Sequence, residues 1–150
     1  MSALIGVAQT AEVALSAATA RTVVQLVAPS NHRLRILRLG FFFDGVSVTA
    51  EPVQVRLLRQ TSAGTMTALT LTKLDDSIAD TLQATAQHSA TGTEPTAGDV
   101  IDVWECHPQQ GFERDYPLGQ EPIVGGGDRV GLEFTAPAVV NVRAKIVYEE

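Results

Sequence analysis

The stretch IVGGGDRVGLEF, residues 123–134, carries the residue types of a phosphate-binding loop: three successive glycines, then an acid and a base. A dinucleotide fingerprint needs Gly-x-Gly-x-x-Gly between a strand and a helix, so that backbone N–H groups at the helix N-terminus face the pyrophosphate. Counted from Gly125, the third glycine position is Val130, and no lysine stands here to complete a P-loop. The succeeding residues, DRVGLEF, alternate with period two as a strand does, so no helix dipole is available. VGGGD is therefore expected to be a hairpin or Greek-key corner whose glycines supply positive φ.

Cys106 and His107 in VWECHPQQG pose the next chemical question. A thiolate nucleophile needs an imidazole on the same side. Successive residues of a strand face opposite ways, so the pair cooperates only if the strand ends between them, unless His32 or His88 approaches in space. An inert buried cysteine and a histidine near a turn are expected. The three histidines, His32, His88 and His107, form no HxH or HxxxH pair, so the sequence offers no cupin-like metal set. Asp75, Asp76 and Asp80 in LDDSIAD lack the glycine and glutamate spacing of an EF-hand loop and read as a solvated acidic turn, with one turn of helix allowed over 74–80. Glu105, Glu113, Asp115 and Glu121 contain enough carboxylates for glycoside hydrolysis, as any acidic β protein does. Sugar-binding faces display several aromatic rings, whereas this chain is 5% aromatic with one tryptophan. Trp104 shares parity with Asp102 and Cys106 and serves either the core or an interface. No catalytic residue, cofactor or metal site is expected.

The elements that would carry these residues are strands. Val53, Val55 and Leu57 alternate with Gln54 and Arg56; Val130, Leu132 and Phe134 with Arg129, Gly131 and Glu133; Val140, Val142, Ala144, Ile146 and Tyr148 with Asn141, Arg143 and Lys145. Such patterns bury one face and wet the other, as antiparallel sheets do. Gly, Pro, Asn and Asp clusters separate the runs, at 28–32, 43–47, 61–65, 91–99, 107–111 and 125–128 among others. Strands are expected at about 22–28, 33–43, 52–60, 67–73, 81–88, 99–107, 112–116, 121–124, 128–135 and 139–149. The result is an all-β chain, an antiparallel β-sandwich or jelly roll of about 8–10 short strands. Residues 21–150 form one domain, and residues 1–20 form an N-terminal arm or an edge strand.

Within HRLRILRLGFFF the alternation changes phase. Leu34 and Ile36 share one parity; Leu37, Leu39, Phe41 and Phe43 share the other. Either a β-bulge near Leu37 and Arg38 inserts one residue, or both faces are buried, one against another subunit.

A net charge of −6 argues against nucleic acid and anionic membranes as partners. The single cysteine excludes an intrachain disulfide, and no apolar run reaches the roughly 20 residues of a membrane span. The first twenty residues have no lysine or arginine and so lack the basic region of a signal peptide. A soluble chain is expected.

Larger motifs carry a resemblance. AEPV (50–53), LLRQT (57–61), HPQ with Gly111 shortly after it, PLGQE (117–121), GGGDRVG and VNVRAKIVYEE together resemble a group of small phage-associated structural proteins, over about residues 20–150. The resemblance implies a non-enzymatic jelly roll of the tailed-phage head, similar to decoration (cement) proteins. Such proteins sit on the outer surface of the virion, often as homotrimers, and clamp the major capsid protein. The family pattern supplies no catalytic residues to carry over. In that setting Leu4, Ile5, Val7, Val13 and Leu15 are the expected capsid-contact arm, and Leu37, Leu39, Phe41, Phe43 and Trp104 the expected subunit interface. A phage tail or fibre attachment module, and a cupin-like metal enzyme, are the alternatives at this point.

Overall fold

Strands with one apolar face must cover that face, and in the computed structural model they do so by packing as two antiparallel sheets. The structure describes residues 3–44 and 51–150, so most of the turn expected at 43–47 lies outside the described residues. Among them are the strands β1 (Ile5–Gln9), β2 (Val13–Leu15), β3 (Ala20–Val27), β4 (Leu34–Asp44), β5 (Val53–Gln60), β6 (Thr67–Leu69), β7 (Thr72–Lys73), β8 (Thr85–His88), β9 (Ala97–Cys106), β10 (Phe112–Asp115), β11 (Ile123–Val124), β12 (Arg129–Thr135) and β13 (Val140–Glu149). A front sheet runs β10-β4-β13-β1-β7, with β11 on β4 and β2 on β13; a back sheet runs β6-β8-β3-β12-β5-β9. No helix occurs among the described residues. The fold is the expected β-sandwich.

Between the sheets lie Val24, Leu26, Leu34, Ile36, Leu39, Phe41, Val55, Leu57, Leu132, Phe134, Ile146 and Tyr148, all fully buried. At one side of this core the rings stack around Phe41. Phe112 lies 5.1 Å away between centroids, Phe134 5.4 Å, and Trp104 and Phe43 each 6.1 Å. Such ring pairs add to the area each buries.

The phase change in β4 is a bulge. Val147 stands opposite Arg38 and Tyr148 opposite Ile36, so Leu37 is the extra residue. That insertion lets Leu34 and Ile36 on one side of it, and Leu39 and Phe41 on the other, all face the core.

The N-terminal segment is part of the front sheet. β1 lies between β13 and β7, and β2 continues its line along β13. β1 is thus an interior strand, and β2, paired only with β13, is an edge strand of the same sheet. Thr10 joins the two strands, its N–H donating to the Ala144 carbonyl at 2.9 Å and its hydroxyl accepting from Ala144 N at 3.1 Å.

The back sheet's outer face is also covered. Gln25 donates to Gln60 Oε1 at 2.7 Å and to the Ser62 carbonyl at 3.0 Å, and Gln60 donates to Thr22 Oγ1 at 3.0 Å. Glu133 pairs with Arg56, whose Nε donates at 3.0 Å. Loops 61–66 and 89–96 are tied together above this layer by Thr65 N to Thr93 O and Thr91 N to Thr65 O. These bonds give the buried Gln25, Gln60 and Thr22 side chains polar partners, as burial requires, whereas Oε1 of Gln87, opposite Gln25, is buried without one.

Candidate interaction surface

Three residue pairs along β1 and β13 set the character of the front sheet's outer face. Ile5 is opposite Glu149, Val7 opposite Val147, and Gln9 opposite Lys145. Because Gly6 and Ala8 take the inward positions of β1, the larger Ile5 and Val7 point outward. The bulge turns Leu37 toward the same place, and Leu74, 65% exposed, follows β7 at the margin. Ile5, Val7, Leu37, Leu74 and Val147 line an open groove of about 390 Å³.

Ion pairs frame it. Arg38 pairs with Asp115, and Lys145 Nζ meets Glu113 Oε1 at 2.6 Å across Gly40. A Cβ at Gly40 would stand 2.7 Å from Lys145 Cε, so the glycine lets that side chain cross β4. The hydrogen bond from Lys145, then its charge, holds the Glu113 carboxyl below the usual range; the Asp115 hydrogen bond and charge hold the Arg38 guanidinium above its own. Farther along, Arg35 contacts Glu149 at 2.5 Å and Glu121 at 3.9 Å. Pairs this exposed add little stability, but they fix a charge pattern that a partner can match.

Of the expected capsid-contact residues, Val13 and Leu15 are buried in the protomer's core, and Leu4 is buried beside His32 and Gln83 at its margin. Ile5 and Val7 lie on the outer groove instead. Of the expected interface residues, Leu39 and Phe41 are fully buried. Phe43 and Trp104 are half-buried against the Phe41 ring cluster, so their apolar surface is largely spent within the protomer. Leu37 joins Ile5 and Val7. Phe42, 45% exposed, escaped the sequence reading because it sits inside a run of three phenylalanines; the parity beyond the bulge sends it outward, over Gly111 and 5.9 Å from Lys145 Nζ.

The candidate chemistry disperses. Gly125–Asp128 is a turn closed by Asp128 N donating to Gly125 O at 2.9 Å, with Gly127 at φ +82°. It joins β11 of the front sheet to β12 of the back sheet, so it is an inter-sheet corner and not a hairpin. A Cβ at Gly126 would meet the Ser30 carbonyl at 2.9 Å, which explains a second glycine. Residues 74–80 form no helix; Asp75 accepts from Ser77 N at 2.9 Å and Ser77 Oγ at 2.6 Å, and these bonds hold its carboxyl below the usual range. His88 Nδ1 lies 2.9 Å from Ser89 Oγ, and His107 Nδ1 accepts from Gln109 N at 3.2 Å. Among the described residues no three His, Cys, Asp or Glu side chains gather as a metal site.

Cys106, the last residue of β9, is buried opposite Val53. Burial, then the Glu105 charge, pushes its thiol above the ordinary range. Thiolate is the reactive form, so labelling by a disulfide reagent at pH 8 is expected to run at least ~10-fold slower in the native protein than in urea. Equal rates would show that β9 opens freely at this end.

Comparison of the chain with family models, with curated proteins and with solved structures finds no match.

Proposed function

We propose that this chain is a non-enzymatic virion structural protein that decorates the outer surface of a tailed-phage head, binding the major capsid protein as a homo-oligomer and stabilising the shell. The observation that carries this reading is the apolar groove of Ile5, Val7, Leu37, Leu74 and Val147 within a frame of ion pairs. An apolar centre with a charged rim suits adhesion to another protein surface. Its mounting also suits adhesion. Three adjacent strands of the front sheet hold it in place, so little ordering entropy is lost when a partner docks. The motif resemblance supports the choice of a capsid as that partner.

Cosedimentation with expanded capsids tests the reading. Wild-type protein is expected to travel with the shells, and Val7→Glu to bind roughly 30-fold more weakly, because a carboxylate would be desolvated against apolar surface. Val7 is only partly buried, so the variant should fold normally. Unchanged binding by Val7→Glu would remove the groove from the contact. Micrographs placing labelled protein on tails alone would overturn the head assignment.

A further inference from the structure

The two sides of the sandwich are built differently. On one, β9 and β10 lie at the sheet edges, and the space between them is sealed by Trp104 and Phe112, whose centroids are 5.5 Å apart. On the other, the edges are β6 and β7, of three and two residues, and β8, next to β6, has only four. Strands this short leave the sandwich open. The opening is a slot of about 730 Å³, the size of natural ligand pockets, with Ala68, Leu69, Leu71, Leu82, Ala84 and Ala86 along its apolar walls. Lys73 stands at its rim and is already committed, donating to the Ile78 carbonyl at 2.6 Å and the Asp80 carbonyl at 3.2 Å. The slot therefore favours an apolar occupant over an anion.

The sealed side presents such a group. β10 and β11 pair with successive stretches of β4, residues 38–41 and 34–35, so they are two halves of one edge strand interrupted by residues 116–122. At the tip of that interruption Leu118 is 89% exposed, the barest large apolar side chain among the described residues. Its turn is rigid. Gln120 N donates to Pro117 O at 2.9 Å, Gly119 sits at φ +85°, and Glu121 Oε2 accepts from Gly119 N at 2.7 Å. Below it Tyr116 is anchored by its N–H to the Leu37 carbonyl at 3.0 Å and by Arg114 over its ring at 5.4 Å. A side chain held out this way loses little freedom on docking.

We propose that the Pro117–Gly119 turn of one copy inserts Leu118 into the slot of the next. Turn and slot lie at opposite edges of the front sheet, so no protomer can satisfy itself. Contact between copies is then head-to-tail, and such contacts close into rings when the rotation permits. The contact rests on the proposed homo-oligomer, and it assigns the residues that make the oligomer.

Light scattering on four samples at about 100 μM tests it, with wild-type protein expected at a multiple of 16.0 kDa. Leu118→Asp and Ala68→Glu each spoil one half of the contact, at exposed positions where folding tolerates the change. Each alone is expected to be monomeric, its self-affinity lowered roughly 30-fold or more. Mixed one to one, they retain one intact turn and one intact slot, and a dimer that grows no further is expected. A monomeric wild type, a Leu118→Asp protein of wild-type mass, or a mixture that stays monomeric would each overturn the contact. Capsid cosedimentation of the same samples separates the two readings. A wild-type monomer that still binds shells ends the turn-in-slot contact and the homo-oligomer but leaves shell decoration standing, whereas an oligomer behaving as expected but ignoring shells ends the decoration reading alone.

Discussion

Phe41→Ala is expected to cost about 3–5 kcal/mol of stability, the range for emptying a buried phenylalanine site, and to lower Tm by roughly 10 °C. Phe41 is fully enclosed and touches four other rings, two from its own sheet's strands β4 and β10 and two from the back sheet's β9 and β12. Truncation therefore removes the side chain that joins the sheets at the sealed side. Neighbouring rings are held by their own strands and can close the void only in part. Urea unfolding of the variant checks the value. A loss below about 1 kcal/mol would mean the rings repack freely and the seal is soft.

Gly6→Val is expected to cost about 3 kcal/mol, the upper end for overpacking a well-filled core. Gly6 and Tyr148 are directly opposed across β1 and β13, and the tyrosine ring lies over the glycine. A Cβ at Gly6 would stand 2.5 Å from both Tyr148 Cζ and its hydroxyl oxygen. The ring is fully buried, so it cannot swing into solvent. β-branched residues favour strands, but that preference spans only about 1 kcal/mol and does not offset the clash. Thermal unfolding of Gly6→Val, Tyr148→Leu and the double variant measures the coupling. The double variant should lose clearly less than the sum of the singles, and strict additivity would show that the ring does not fill the space over Gly6.

These two sites also mark where sequence reading succeeded and where it did not. Alternation located the strands within a few residues, as at β5, β12 and β13, because each has large apolar residues on one parity and polar ones on the other. The phase change at Leu37 leaves a bulge or two buried faces open, and the register of β4 on β13 shows the bulge. β1 inverted the rule. Its inward positions are Gly6 and Ala8, since Tyr148 occupies the volume a larger side chain would need, and its bulky residues face out. Ile5 and Val7 therefore gave the pattern of a strand buried on its outer face, and the segment read as an arm or an edge strand. Residues 67–73 read as one strand, but β6 and β7 belong to different sheets, a crossing that periodicity does not encode. Glu133 read as a wetted position, whereas it is buried beside Arg56 of the neighbouring strand. The groove was half legible. Ile5, Val7 and Leu37 were singled out for contact, but Leu74 and Val147 join them only through β-pairing across the whole chain.

That β13 is the middle of the front sheet, flanked by β1 and β2 on one side and β4 on the other, has a consequence for how the protein is made. Residues 5–9 and 34–44 leave the ribosome early and have no common neighbour until residues 140–149 emerge. The nascent chain must carry those strand edges bare until then, and zippering of the sheet waits for the β13 ladder. Pairings so far apart in sequence make folding slow and leave partly made chains prone to clumping, so yield in a cell should depend on how well chaperones hold them meanwhile.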